Sequence, residues 1–333
     1  MPIALVTGAA GFIGSHVAEC CRRQGFRVVG LDDLSSGDVR NVPDGVQFVK
    51  GSVCDAALVS ELFNEHPFDY VYHLAAYAAE GLSHFVRRFN YSNNVIGTMS
   101  LVNESARYGV KCFVFTSSIA VYGSAQVPMT EEMTPQPEDP YGIAKYAVEL
   151  DLMAARRVFG LPFVVFRPHN VYGERQNFAD RYRNVVGIFM NQAMTGGPMT
   201  VFGSGLQRRA FSHVDDVAPV IAMAPLVDRA YGEVFNIGAD VSYTVLELAQ
   251  VIAEVVGVPL RIEHLPPREE TAIAFANHEK VRRVFGTTAK VTLSEGVARM
   301  AAWARTVGPL SRAPLRELEV AVNVPPSWRS VET

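Results

Sequence analysis

This 333-residue chain has little of several things, and each scarcity excludes a class of function. No apolar run approaches the roughly 18 residues that a membrane-crossing helix needs, so a helical membrane protein is excluded. Charged residues make up 19% and the formal net charge is −4, which leaves no electrostatic footprint for nucleic acid or an acidic membrane face. There are four cysteines (Cys20, Cys21, Cys54 and Cys112) and no C-x-x-C pair. That excludes a disulfide scaffold and a cysteine-built metal centre, and the expectation is buried thiols in a reducing cytoplasm with no metal. Met1-Pro2 leads directly into the first strand without a signal-like segment, and no repeat or low-complexity tract interrupts the chain. What is present is 49% hydrophobic residues over a length comfortable for two domains.

The chain is organised around its start. Ile3, Leu5 and Val6 read as a buried parallel strand, and Gly8, Gly11 and Gly14 follow in G-x-x-G-x-x-G spacing. From Phe12 the pattern turns helical, with Phe12, Ile13, Val17 and Cys20 on one face. A strand that turns on glycines into a helix aims free N–H groups and the positive dipole end at one point, which suits a pyrophosphate. Glycines so spaced also make ordinary tight turns, and here the context decides. A second apolar run, Arg27 to Leu31, ends in Asp32, eighteen residues after Gly14. An acid there accepts hydrogen bonds from an adenosine ribose and repels a 2′-phosphate, so the expected cofactor is NAD rather than NADP.

Strand-like and helix-like segments alternate through the first half: strands at 46–49, 69–76, 111–116 and 162–167, helices opening near Ser52 and spanning about 93–108 and 141–159. This alternation predicts an α/β fold with a doubly wound parallel (Rossmann) sheet. Ala75 and Ala76, ending the fourth strand, allow either close approach of a flat cofactor or plain helix–sheet packing. Beyond Arg167 the alternation stops. Residues 168–212 are loop-rich around a helix near Asn184–Met194, and 236–310 mix short helices, such as Val245–Val256, with strands, such as Leu260–Glu263. The expected organisation is a dinucleotide-binding domain over 1–167, with 213–235 returning to it. A smaller mixed α/β substrate-binding lobe comprises 168–212 and 236–315, and a peripheral tail 316–333. The cleft between the lobes would lie over the cofactor.

Strand five ends in a serine-rich stretch, Thr116 to Gly123, and Tyr141-Gly142-Ile143-Ala144-Lys145 follows. On a helix Tyr141 and Lys145 share a face, and an ammonium near the phenol stabilises phenolate, as a general base requires. Ser118 is placed to hydrogen-bond the same substrate oxygen. A Y-x-x-x-K alone is common on helix surfaces; combined with the glycine loop and Asp32, in this order, it reads as a redox site.

With those residues in view, the chain resembles the extended short-chain dehydrogenase/reductase family, and within it the nucleotide-sugar 4-epimerases that act on UDP-glucose or UDP-glucuronate. The resemblance covers roughly 2–300 and rests on Thr7 to His16, Asp32, His73 to Ala76, Asn94-Val95, Thr116 to Gly123, Tyr141 to Lys145, Arg167 to Gly173, Arg209 to Asp216 and Arg268 to Lys280. It implies a catalytic triad of Ser118, Tyr141 and Lys145. It implies NAD contacts from Gly8, Gly11, Phe12, Ile13, Gly14, Asp32, Val53, Leu74, Ala75, Ala76, Asn94, Thr116, Tyr141, Lys145 and Pro168. On the sugar-nucleotide side it implies Ser118, Asn170, Asn184, Arg209, Arg268 and Glu270, the two arginines gripping a diphosphate. It also implies a homodimer through the helices near 93–108 and 141–158.

Departures from the family pattern are informative. Ser52 stands where many relatives carry an aspartate near adenine, and Ala78 where some carry a lysine. The stretch from Arg268 is one residue short, which leaves either Ala274 or Phe275 at the position that gates a bulky C2 group. Ile119 and Ala120 occupy positions where the resembling 4,6-dehydratases hold an acid pair and the decarboxylases a glutamate; neither exchanges a proton. The expected reaction is therefore C4 epimerisation of a UDP-hexose or UDP-hexuronate through a 4-keto intermediate. A UDP-N-acetylglucosamine 4-epimerase and a net NAD-dependent dehydrogenase or reductase are the alternatives. Arg87, Arg88, Arg175, Arg181 and Arg183 are either solvated loop cations or include one that receives a C6 carboxylate.

Overall fold

In the computed structural model, described for residues 1–124, 127–180, 182, 184–268, 271–287, 289–308, 317–325 and 328, the expected alternation is seen directly. Strand β1 (Ile3–Thr7) is buried from Ala4 onward and leads into helix α1 (Phe12–Arg23). Then come β2 (Arg27–Asp32), β3 (Gln47–Lys50), α2 (Ala56–Glu65) and β4 (Tyr70–His73). A helical turn α3 (Glu80–Ser83) and a short α4 (Arg87–Tyr91) precede α5 (Gly97–Arg107), β5 (Cys112–Thr116), α6 (Pro140–Phe159) and β6 (Phe163–Pro168). The ends of α6 show why it starts and stops where it does. Asp139 caps it by accepting from Gly142 N at 2.9 Å, Pro140 fills its first position, and Gly160 closes it in the left-handed conformation.

The helix expected from Asn93 is broken. Between α4 and α5 the chain widens into a π turn over Ser92–Ile96. Its asparagines bond locally: Asn93 Nδ2 donates to the Phe89 carbonyl at 2.9 Å, and Asn94 Nδ2 donates to Asn90 Oδ1 at 2.8 Å. Such side chains compete with the regular backbone ladder.

Past β6 come β7 (Val171–Tyr172), α7 (Val185–Met194), β8 (Met199–Phe202), β9 (Arg208–Ala210), β10 (Ser212–His213) and α8 (Val214–Met223). They are followed by β11 (Val234–Ile237), β12 (Ser242–Thr244), α9 (Val245–Val256), β13 (Ile262–Leu265), β14 (Ile273–Ala274), α10 (Glu279–Phe285) and α11 (Leu293–Val307). The main sheet has seven parallel strands in the order β11-β6-β5-β4-β1-β2-β3. The winding direction reverses between β1 and β4, so the crevice outside their carboxyl ends is where such a sheet takes a ligand.

One face of the sheet is covered by α1, α8 and α10, the other by α2, α5 and α6. A separate core gathers α7, α9 and α11, with Phe178, Phe189, Leu248 and Met300 at its centre. Two segments differ from the expected division. Helix α10 falls within 236–315, yet Phe285 packs on Phe166 and Phe235 of the main sheet, with ring centroids 5.7 and 5.1 Å away. Full burial of such a side chain is worth about 1.5–3 kcal/mol, and its seven-residue helix carries too short a pattern to reveal its destination. The tail, expected to be peripheral, brings Val324 and Trp328 into a buried cluster with Ala79, Leu82 and Val86. Its Glu319 carboxylate accepts the N–H groups of Arg88 and Phe89 at the start of α4.

Candidate active site

A cleft of about 2250 Å³ runs along the carboxyl ends of the strands, between the sheet and the second core. Its floor is the glycine loop. Gly8 has φ +72°, and a Cβ there would lie 2.8 Å from Ala75 N; one on Gly14 would lie 2.0 Å from the Gly8 carbonyl oxygen. The close approach of backbone to backbone is what only glycine allows. Asp32 closes the loop: its oxygens accept Ala10 N at 3.0 Å and Leu34 N at 2.8 Å. Burial raises the Asp32 carboxyl above its ordinary value, with those N–H groups opposing the rise.

His73 is buried behind this floor. Its Nδ1 is 2.7 Å from Thr7 Oγ1 and its Nε2 2.8 Å from Thr98 Oγ1, and burial pushes it down to about 3, so it is a neutral strut. The Thr7 hydroxyl oxygen also accepts Leu74 N and Ala75 N, both at 3.2 Å, which draws the alanines against the glycine loop.

The sheet ends supply the chemistry. Ser118 opens a single turn, Ile119–Tyr122, and its Oγ accepts Ala120 N at 3.1 Å. Tyr141 and Lys145 stand one turn apart on α6, both buried and both lining the cleft. Lys145 Nζ donates to the Thr116 carbonyl at 2.8 Å and lies 5.8 Å from the Tyr141 ring centre. Burial pulls this ammonium down to about 7, with Glu149 opposing. Ser83 holds the start of α6, its Oγ accepting Tyr141 N at 3.2 Å and lying 3.4 Å from Asp139 Oδ1. No spacing motif marked Ser83; its role follows from α3 packing on α6.

The second core supplies the opposite wall. Asn170 lies there at φ +40° and Asn184 at φ +57°, a conformation asparagine tolerates better than most residues. Asn184 caps α7, accepting Val186 N at 3.2 Å, and donates to the Val171 carbonyl. Arg209 donates to the carbonyls of Arg208, Thr271 and Ala272, and the Arg268 guanidinium lies 4.4 Å from the Phe202 ring centre. Ala274 lines the cleft, while Phe275 is not among the lining residues.

Gly8, Gly11, Phe12, Ile13, Gly14, Asp32, Val53, Leu74, Ala75, Ala76, Thr116, Ser118, Tyr141, Lys145, Pro168, Asn170, Asn184, Arg209 and Arg268 thus share one cleft. Asn94 does not join them. Its Oδ1 accepts Tyr77 N at 2.9 Å and its Nδ2 donates to the Tyr77 carbonyl at 3.1 Å, so it braces the segment after Ala76 from behind; Asn93 lines the cleft instead. Glu270, Arg181 and Arg183 lie outside the described residues. Arg87 and Arg88, on α4, are not among the lining residues, and Arg175 lines the cleft while pairing with Glu19 at 2.6 Å. Thr116 Oγ1 is a buried hydroxyl at the cleft wall with no hydrogen-bond partner among the described residues. That orphan, with the glycine cradle and Asp32, fits a dinucleotide.

Comparison with known proteins agrees. Over 303 residues the chain is 36% identical to the UDP-glucose 4-epimerase of Mycolicibacterium smegmatis, covering 89% of this chain and 96% of that one. The structure of the Thermotoga maritima UDP-glucose 4-epimerase with UDP-glucose superposes with a TM-score of 0.86 at 35% identity, covering 92% of this chain and 99% of the other. The Bacillus cereus UDP-glucuronic acid 4-epimerase, in complex with UDP-glucuronic acid and NAD, gives a TM-score of 0.83 at 27% identity, covering 92% and 100%. The family model described as the NAD dependent epimerase/dehydratase family matches residues 4–238. With the cofactor cradle, the Tyr141–Lys145 pair and these matches together, the chain belongs to that family of NAD-dependent enzymes.

Proposed function

We propose that this protein interconverts the C4 epimers of a UDP-hexose or UDP-hexuronate, UDP-glucose or UDP-glucuronate and the galacto form. The observation that carries this reading is the turn after Ser118. Ile119 is buried and Ala120 lines the cleft, so the segment beside the redox pair presents no group that exchanges a proton. Elimination of water or loss of CO2 needs an acid or base there; oxidation and re-reduction of a carbinol does not.

Gly8, Gly11, Gly14, Asp32 and Thr116 would hold NAD, which when bound takes a hydride from a carbinol carbon and returns it. Tyr141, with Lys145 behind it, takes the proton of the 4-OH and gives it back, and Ser118 hydrogen-bonds the same oxygen. Asn170, Asn184, Arg209 and Arg268 hold the diphosphate while the 4-keto sugar turns about its linkage and presents its other face. The clamp stays and the ring moves; that is how one tyrosine serves both epimers.

A second reading is favoured by Ala274. A small side chain at that wall leaves room for an N-acetyl group at C2, which supports UDP-N-acetylglucosamine as a further substrate. Incubation with each of the three UDP-sugars, followed by resolution of the C4 epimers, tests both readings. Stoichiometric NADH accumulation would instead identify a net dehydrogenase.

We also infer a twofold homodimer. Ile143, Leu150 and Met153 on α6 are 40%, 48% and 44% exposed, although Val148 and Leu152 of the same helix are buried in the sheet core. An apolar helix face left outside the chain's own core suits a partner copy. A monomeric mass at micromolar concentration refutes it. No helix among the described residues is long and apolar enough to cross a membrane, and we place the enzyme in the cytoplasm.

A further inference from the structure

His169 follows the last residue of β6 and lines the cleft wall, only 2% exposed. His278, immediately before α10, is equally buried and meets it edge to edge: the two Nε2 atoms are 3.0 Å apart and the ring planes differ by 28°. The outer nitrogens are committed as well. His169 Nδ1 is 3.0 Å from the Ala210 carbonyl oxygen, and His278 Nδ1 is 2.7 Å from Asp240 Oδ1. A carbonyl and an ionised carboxylate only accept, so both Nδ1 atoms carry hydrogen, and a third hydrogen must lie between the Nε2 atoms. Three ring hydrogens on two imidazoles make one positive charge.

The surroundings support that count. Asp240 is the counter-charge; its other oxygen accepts Arg282 at 2.8 Å, and the hydrogen bond from His278 holds its carboxyl below the usual range. Burial, with the charge on His278, pushes His169 down to about 3. The other charges nearby are spent elsewhere: Lys280 on Glu233 at 2.8 Å, Arg167 on Glu149 at 2.5 Å, and Glu131 on Asn236 N at 2.8 Å.

We propose that this protonated His169–His278 pair positions the diphosphate-binding side of the cleft, joining the backbones that carry Asn170 and Arg209. The proposal rests on the reading that those two residues hold a diphosphate. His169 precedes Asn170, whose left-handed backbone is held only by its surroundings. Ala210, whose carbonyl the His169 ring grips, follows Arg209. Gly238 makes room, since a Cβ there would lie 2.5 Å from His169 Nε2. The ring fixes the spacing of both diphosphate ligands, and its partner places a positive charge behind the same wall.

Two measurements test this. Imidazole nitrogen NMR of the wild-type protein should count two N–H groups on His278 and one on His169; a count of two for the pair overturns the proposal and needs no variant. Calorimetric binding of UDP-glucose from about pH 6 to about pH 8.5 should weaken as the pair loses its proton. In His278→Gln, which keeps a donor towards His169 without the charge, that slope should vanish and affinity at the acid end should fall on the order of fivefold. KM should rise by a similar factor while kcat stays within about twofold. Equal pH slopes in wild type and His278→Gln overturn the proposal. Failure of the wild type to bind UDP-glucose at any pH instead brings down the diphosphate reading beneath it.

Discussion

Lys145 and Glu149 stand one helical turn apart on α6, and the carboxylate of Glu149 is wholly buried between that lysine and Arg167. Arg167 donates to both Glu149 oxygens, Ser117 Oγ donates to one of them, and the far side of the guanidinium donates to Tyr122 OH at 2.7 Å. A negative charge is thus built into the floor beneath the lysine, already neutralised by an arginine that has nowhere else to go.

Glu149→Leu should strand that arginine. Loss of one partner of a buried pair costs about 3–5 kcal/mol, and urea denaturation should read a loss of that size. Glu149→Leu combined with Arg167→Met should recover much of it. Additive losses in the double variant would show that the pair is not one unit.

Tyr141→Phe should lower turnover by about 10²–10⁴-fold with NAD affinity retained, because the ring still packs while the proton carrier is gone. Lys145→Met should lose activity and weaken NAD as well. Near-wild-type epimerisation by either variant, followed by sugar chromatography, would remove both residues from the mechanism.

Lys145 also makes stability depend on pH in a particular direction. Its folded value, about 7, lies below its ordinary 10.5. Between those values the unfolded chain binds more protons, so this group adds stability as pH rises through that window. The Tm difference between wild type and Lys145→Met should therefore shift in favour of wild type from about pH 7 upward. A constant difference would mean that the lysine is not desolvated.

Asp32→Ala should weaken NAD and narrow its advantage over NADP. Asp32 also anchors Ala10 N and Leu34 N, so Tm should fall as well. Fluorescence titration with both cofactors separates the two effects: an unchanged NAD preference would leave Asp32 as a loop anchor alone.

If the Ala274 wall faces C2, as proposed, Ala274→Tyr should cost UDP-N-acetylglucosamine at least about tenfold more in kcat/KM than UDP-glucose, since the added ring fills that wall. Equal losses on both substrates would place the C2 group elsewhere.

Most of the cofactor half was legible in the chain because its signals are local. Gly8, Gly11 and Gly14 turn a strand into a helix within a few residues, and Tyr141 and Lys145 share a face by helical period alone. Asn94 was less legible because its type suits a ligand as well as a backbone brace, and its bonds to Tyr77 depend on a segment 17 residues away. Of Ala274 and Phe275 the sequence could not tell which faces the cleft, because the register was ambiguous; Ala274 pairs with Arg209 on β9 and lines the cleft. His169 and His278 are 109 residues apart, and nothing local in either segment announces the other. Ser83 and α10 escaped for the same reason: each is short, and its meaning lies in what it packs against.

The place of β11 in the sheet has a consequence for how the molecule is made. It seals the outer edge of β6, yet it lies some 65 residues further along the chain, after the whole of β7 to α8. Until Val234–Ile237 emerges from the ribosome, β6 presents a row of unpaired amides and carbonyls beside Phe166, an invitation to neighbouring nascent chains. A fragment that stops at the end of the first six strands therefore carries the complete glycine loop and the tyrosine–lysine pair, but with an open flank. A cut anywhere before Phe285 also removes the ring that packs on the late strand at Phe235.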